Sequence, residues 1–312
     1  MKFVSVSLIK DEADIIELFI RINSRVIDHF FIVDNGSSDN TVKILSKLKE
    51  EGFNITLFKD PMAEYDQSLM TTKALRTAHS KMRFDWAFML DADEFINIDK
   101  QTLEDELSTV TDNQVASFKW STWIPNEDLW FKCDNPLWTG FRRKSKETEH
   151  FEKVIVPYRL APNTILAMGN HSAFITYNGS VKLSDGCTKL NQYCLKSGVL
   201  DHVPVRSGPQ IILKVLIGSI KAFLKKNREP YECYHWDNIV LMIRGYQYQV
   251  DDLLLRYLAL SYLTKTDEQP VDEVDEDSRI GKETDKFQYA YLNKINERSR
   301  FFNSMISLTS KL

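Results

Sequence analysis

The 312-residue chain is poor in cysteine, with only Cys133, Cys187, Cys194 and Cys233. They form no C-x-x-C pair and no zinc-ligand spacing, which leaves free thiols of a reducing compartment as the reading. No apolar run approaches the ~18 residues of a membrane span. The apolar stretch at residues 3–9 reads as a strand and is too short for a signal-peptide core. Basic charge is not in excess either. Forty Lys and Arg face 44 Asp and Glu, a formal net charge of −4, which argues against nucleic-acid binding by bulk electrostatics. No internal repeat is visible. These absences point to a cytoplasmic chain, with peripheral contact on the inner face of a membrane still open to it. What is present is core material. With 43% hydrophobic and 12% aromatic residues, this length supports one large α/β domain plus an appendage.

Residues 3–9 form a nearly uninterrupted apolar run, as expected of a central parallel strand buried on both faces. Lys10-Asp11-Glu12 follows at its end. A helix over residues 12–26 shows Ile15, Ile16, Leu18, Phe19 and Ile22 at helical spacing. A second strand, 30–33, ends in Asp34-Asn35-Gly36-Ser37-Ser38-Asp39. There Asn-Gly supplies a permissive turn, and Ser38 or Asp39 can cap the next helix. A third strand at 55–58 and a helix at 67–80 lead to a fourth strand, Trp86-Ala87-Phe88-Met89-Leu90. This alternation predicts a doubly wound, mainly parallel α/β sheet.

The fourth strand runs straight into Asp91-Ala92-Asp93-Glu94-Phe95. In open α/β sheets ligands bind beyond the carboxyl ends of the strands. Asp91 and Asp93 have period-2 spacing and point the same way in extended backbone. Two such carboxylates suit a hard divalent cation, Mn²⁺ or Mg²⁺, that also holds a diphosphate; the alternative is a solvated acidic turn. Three polar segments, K-D-E, D-N-G-S-S-D and D-A-D-E-F, thus line one edge of the sheet.

In these motifs residues 1–120 resemble family 2 glycosyltransferases of the GT-A fold, in the branch with a K-D/N-E first motif and a D-x-D-E-F third motif. Lys153-Val154-Ile155-Val156, Gly169-Asn170-His171 and His202-Val203-Pro204-Val205-Arg206-Ser207 are similar, more loosely, to later motifs of that branch. The resemblance implies a nucleotide-sugar donor, with a UDP-sugar favoured, a divalent metal, and transfer of a hexosyl or N-acetylhexosaminyl group with inversion. It implies that Lys10, Asp11 and Glu12 border the nucleotide, and that Asp34, Asn35 and Gly36 face the base and ribose. Many relatives carry Asp-Asp where this chain has Asp34-Asn35, which leaves the base open. Asp93 then binds the metal directly, and Asp91 serves the ribose or a metal-bound water. The implied acceptor is a glycan or glycolipid, such as lipopolysaccharide or another surface polysaccharide.

Residues 1–210 therefore read as a GT-A domain, with 1–112 holding the nucleotide-sugar and 113–210 building the acceptor side. His171 and His202 are candidates to complete the metal site as neutral imidazoles, a hydrogen-bonded core role being the alternative for each. Arg206 can pair with a diphosphate in two-pronged fashion. Lys153 is a further phosphate candidate; Lys214 reads more readily as solvated surface. Trp120, Trp123, Trp130 and Trp138 suit either a core or a sugar-binding rim. An inverting transfer needs a general base. Glu127, Asp128, Glu149, Glu152 and Asp185 qualify, and Asp128 and Glu127 are favoured because they lie past a strand in an aromatic loop.

Residues 211–312 read as a helical region. It has helices at 211–226 and 241–263, an acidic, flexible stretch at 266–284 and a last amphipathic helix at 286–308. Two rival functions share parts of this pattern. A sugar nucleotidyltransferase would carry a glycine-rich phosphate loop after the first strand, where this chain has Lys10-Asp11-Glu12. A non-catalytic glycan- or nucleotide-binding protein on the same scaffold would not need the carboxylates at 91 and 93.

Overall fold

In the computed structural model, the described residues are 1–60, 66–130, 132–147, 151–184, 186–223, 234–262 and 272–292. The N-terminal half alternates strands and helices: β1 (Phe3–Ile9), α1 (Ile16–Asn23), β2 (His29–Asp34), α2 (Thr41–Glu50), β3 (Ile55–Lys59), α3 (Gln67–Lys81) and β4 (Trp86–Met89). The four strands are parallel in the order β3-β2-β1-β4. Alternating side chains feed two cores. Phe3, Phe30, Ile32 and Phe88 pack with Phe19 of α1 and Leu45 of α2. Val4, Val6, Phe31 and Met89 pack with Met70, Leu75 and Ala78 of α3 on the other face. This half is the doubly wound sheet that the alternation predicts.

The chain continues through β5 (Glu94–Asn97), α4 (Lys100–Leu107), β6 (Gln114–Pro125), α5 (Pro136–Thr139), β7 (Phe141–Lys144) and β8 (Glu152–Pro157). Here the sheet turns antiparallel, β8 lying between β4 and β6. A small sheet of β9 (Thr164–Leu166), β10 (Ala173–Ile175) and β11 (Thr188–Lys189) stands apart. Strands β12 (Asn191–Cys194) and β13 (Val199–His202) return to pair with β6. The whole is a mixed sheet flanked by helices, parallel where the first three motif loops emerge.

Helices α6 (Gly208–Phe223), α7 (Tyr234–Gly245) and α8 (Asp252–Leu260) follow. They share a third core, built from Ile211, Val215, Ile239, Ile243, Leu254 and Leu258 against Ile124 of β6. Where the sequence predicts one helix over 241–263, there are two. Gln247 and Tyr248 adopt positive φ (54° and 60°) and end α7, and the Asp251 carboxylate caps α8 by accepting from the Leu254 N–H at 2.8 Å. Likewise α1 starts only at Ile16: its N-cap, Ile15, is non-helical (φ −128°, ψ −22°), and the chain enters from a left-handed Asp11 (φ 56°).

The acidic stretch expected to be flexible is not free in its described part, 272–284. Strand β14 (Val274–Asp275) pairs antiparallel with β7, Ile280 is buried, and Asn135 Nδ2 donates to the carbonyls of Lys282 and Glu283. The strap then runs on to the buried Glu17 of α1, whose carboxylate accepts from the N–H groups of Gln288 (2.8 Å) and Tyr289 (3.0 Å). Apolar positions within an acidic composition are enough to dock it. Residues 293–308 of the expected last helix, the basic end at 225–228, and 266–271 lie outside the described residues. Among the described residues, no helix is long and apolar enough to cross a membrane.

Candidate active site

The parallel register aligns Ile9 with Asp34 and Val6 with Met89, so the loops after β1, β2 and β4 open on one edge. The first two are cross-linked. Asp11 Oδ1 accepts from the Ser38 N–H (2.6 Å) and hydroxyl (3.1 Å), the Asp11 N–H donates to Ser37 Oγ (2.9 Å), and Asp34 Oδ1 accepts from the Ser37 N–H (3.0 Å). Gly36 takes the left-handed conformation (φ 74°) that an L side chain resists. The Asn35 amide is held inward by the Asp60 carbonyl (3.0 Å). Lys10 is half-buried at the loop's start.

A charge cluster lies beneath these loops. Asp91 pairs with the Lys153 ammonium, which also lies 3.1 Å from Glu94. Glu94 is fully buried. Its carboxylate accepts from the Asp91 N–H (2.8 Å) and from Trp120 Nε1 (2.9 Å), so it orders the loop. Asp93 is approached by Lys214 at 3.0 Å and Arg206 at 3.7 Å. Arg206 binds Asp14 through two nitrogens (2.7 and 3.0 Å) and Glu12 at 2.8 Å. Five carboxylates thus face three cations.

Burial works to raise the Asp93 carboxyl, but Lys214 and Arg206 outweigh it and hold it below the ordinary range. Glu94 and Glu12 go the other way. Burial pushes Glu94 up to about 8, with Lys153 opposing, and Glu12 up to about 7, with Arg206 opposing. Burial alone would lower Lys153 and Lys214. Asp91 beside the first and Asp93 beside the second reverse this and keep both ammoniums charged.

Two imidazoles border the cluster. His202 stacks on Trp120 with centroids 4.2 Å apart; its Nε2 is 3.9 Å from Asp93 Oδ1, and its buried Nδ1 has no hydrogen-bond partner among the described residues. Burial holds His202 neutral, down at about 3, so it adds no charge beside Asp93. His171 stands edge-on to Trp120 at 5.0 Å, with Nδ1 at 2.8 Å from the Glu152 carbonyl; burial lowers it to about 4.

The residues suit a hard divalent cation. The Asp93–His202 gap is too long for a hydrogen bond, yet two donors each about 2.0–2.1 Å from one ion can span it. Among the described residues no three His, Cys, Asp or Glu side chains form a ready metal cage. Ions of this kind often take only one or two protein ligands and complete their shell with water and substrate phosphate.

The other expected residues fall as follows. Arg206 is engaged by Asp14 and Glu12, and Lys153 by Asp91 and Glu94, rather than standing open. Asp128 lies where α6 and α8 meet, its N–H donating to Asp252 Oδ1 (2.9 Å); burial raises its carboxyl, with Lys132 opposing. Glu127 beside it is exposed. Glu152 lines a cleft next to His171, while Glu149 and Asp185 lie outside the described residues. Trp123 and Trp130 are core residues that bond Asp201 and the Asp14 carbonyl. Sequence reasoning missed Asp14, whose one signal is an acid inside the apolar stretch Ala13–Ile16. It also undervalued Lys214, which one face of α6 carries to Asp93.

Residues 11–207 match the model of glycosyltransferase family 92. The motifs resemble family 2, and the match corrects that assignment. Strand-end carboxylates answer to nucleotide and metal geometry, so they do not separate one glycosyltransferase family from another. No curated protein sequence matches the chain. Among solved structures, Staphylococcus aureus TarS 1-349 is similar at 14% identity and TM-score 0.37, over 86% of this chain and 77% of that one. Mycobacterium tuberculosis glucosyl-3-phosphoglycerate synthase, solved with Mn²⁺, UDP and glucosyl-3-phosphoglycerate, is similar at 17% identity and TM-score 0.28, over 38% and 44%. HddC from Yersinia pseudotuberculosis is similar at 10% identity and TM-score 0.36, over 65% and 93%.

Proposed function

The chain belongs to glycosyltransferase family 92, and from that premise we propose that it moves a hexosyl or N-acetylhexosaminyl group from a nucleotide-sugar, a UDP-sugar foremost, to a glycan hydroxyl with inversion. The observation that carries this reading is the approach of Nε2 of the neutral His202 to 3.9 Å from Asp93 Oδ1, at the edge where β1, β2 and β4 end. In this reading Asp93 and His202 hold a divalent cation, Mn²⁺ or Mg²⁺, which when bound supplies Lewis-acid stabilisation of the departing diphosphate.

The chain's own groups do the rest. The interlocked loops around Asp11, Asp34 and Gly36 form the nucleotide cradle. Asp91 faces the ribose and is fixed by Lys153. Lys214, only partly buried, places a permanent positive charge beside Asp93, where charge grows on the leaving group. Asp128 is the general base we assign, since a carboxyl raised by burial takes up a proton more readily than an ordinary one.

The test is a thermal-shift panel of nucleoside diphosphates and nucleotide-sugars with Mn²⁺, Mg²⁺ or chelator, on wild type and Asp93→Asn. Binding to the native state raises its melting temperature by mass action. A metal-dependent shift for one nucleotide, lost in Asp93→Asn, is the expected result. The absence of any shift in folded wild type would sink the donor site.

A further inference from the structure

Beside the charge cluster lies a cleft of about 550 Å³ that the proposed chemistry does not use. Its walls include Phe151, Glu152, His171, Lys189, Asn191 and Gln192. Resting on the glycosyltransferase reading, we propose that this cleft binds a pyranose residue of the acceptor glycan.

Three observations carry the inference. The first is position. Strand β8 runs antiparallel to β4, so the start of β8, with Phe151 and Glu152, lies toward the end of β4 and Asp91. His171 is a wall of the cleft and also an edge-on neighbour of Trp120, whose indole N–H holds Glu94. One imidazole therefore separates the cleft from the donor edge.

The second is the kind of surface. Phe151, half-buried, lies 5.1 Å from the His171 ring and 5.4 Å from the Trp120 ring, an aromatic wall against which the C–H face of a pyranose can lie. The lining has one ammonium, Lys189, beside neutral amides and a carboxylate. That suits hydroxyls, whereas a diphosphate would call for more cations.

The third is the wiring of the polar groups. Glu152 Oε2 accepts from Ser117 Oγ (2.5 Å) and from Gln192 Nε2 (3.1 Å). The carboxylate needs a donor, which fixes the Gln192 amide with its nitrogen toward Glu152. Among the described residues the Gln192 carbonyl oxygen is then left without a hydrogen-bond partner. A buried unsatisfied acceptor is uncommon; this oxygen is closed to solvent behind the cleft wall, and a turn of the amide would offer it to a sugar hydroxyl, a donor of the right kind.

The experiment is saturation-transfer NMR on the full chain with the methyl glycosides of glucose, galactose and N-acetylglucosamine, with UDP and Mn²⁺ titrated in parallel. The expected result is binding of at least one glycoside, weakened tenfold or more by Gln192→Leu and by Phe151→Ala, with UDP binding retained in both variants. If one variant fails to fold, the other decides. No glycoside binding to wild type, or binding that survives these substitutions, overturns the proposal; UDP binding in those samples keeps the transferase reading. Glycoside binding lost on substitution, with no nucleotide bound by wild type, overturns the transferase reading and leaves the cleft as a sugar site.

Discussion

Arg206→Met tests the architecture of the site without reference to any ligand. The Arg206 side chain is 2% exposed and that of Asp14 is 0%. Two of the three short bonds of the guanidinium go to Asp14 and one to Glu12; the Glu12 side chain keeps 19% exposure and can draw on water. Methionine preserves most of the volume against Trp130, so the substitution removes charge more than packing. Breaking a buried pair by removing one partner costs ~3–5 kcal/mol, because the remaining charge stays buried and uncompensated. With an unfolding entropy of about 2.1 cal/mol/K per residue, a ~4 kcal/mol loss lowers the melting temperature of a chain this size by about 6 °C. Urea unfolding with a shared slope measures the same quantity. The double variant Asp14→Asn/Arg206→Met removes most of the stranded charge and is expected to recover about 2 kcal/mol, a coupling of the size seen for residues in one network. A loss below about 1 kcal/mol in the single variant, or no recovery in the double, would refute the claim that this pair organises the site.

Asp128→Asn is expected to lower kcat by about 10²–10⁴ with donor KM within twofold; an unchanged kcat removes Asp128 as base. Gly169 has φ +72°, and a Cβ there would lie 2.4 Å from His171 Nε2, so Gly169→Ala should cost ~1–2 kcal/mol in backbone strain and displace the imidazole, visible as a shifted His171 NMR resonance. Burial lowers His29 and His79 below the ordinary 6.5. The unfolded chain therefore binds more protons near pH 6, so this stability is present above pH 6.5 and is lost as pH falls through it. Glu12, Glu94, His171 and His202 also titrate differently in the folded chain, so the test is the difference: acidification from pH 7.5 to 5.5 should cost wild type more urea midpoint than it costs His29→Gln/His79→Gln, and an identical change in the two would count against these groups.

The parallel half of the fold was legible because its strands are uninterrupted apolar runs and its helices carry strong 3.6-residue periodicity. The edge loops were legible for the same reason: a run that stops at a carboxylate marks a strand end. The antiparallel half was not. Strands β12 and β13 pair with β6 across some 80 residues, and no local signal encodes that. Asp91 and Asp93 could be named from spacing, but their partners Lys153 and Lys214 could be told from surface lysines only through the sheet order and the face of α6. The one-helix reading of 241–263 failed on backbone conformation: Gln247 and Tyr248 take positive φ without glycine, a choice made by tertiary context.

The docking of Gln288 and Tyr289 onto Glu17 has a consequence in time. The two ends of this contact are 271 and 272 residues apart. At about 5–20 residues per second, a ribosome delivers the strap roughly a quarter of a minute to a minute after α1. Over that interval α1 has Arg21 for its buried carboxylate but not the two amides. The N-terminal half is therefore finished last, although it is made first. Nascent chains stalled before residue 288 are expected to be cleaved near α1 faster than the released protein. Equal protection of both would show that the strap seals nothing.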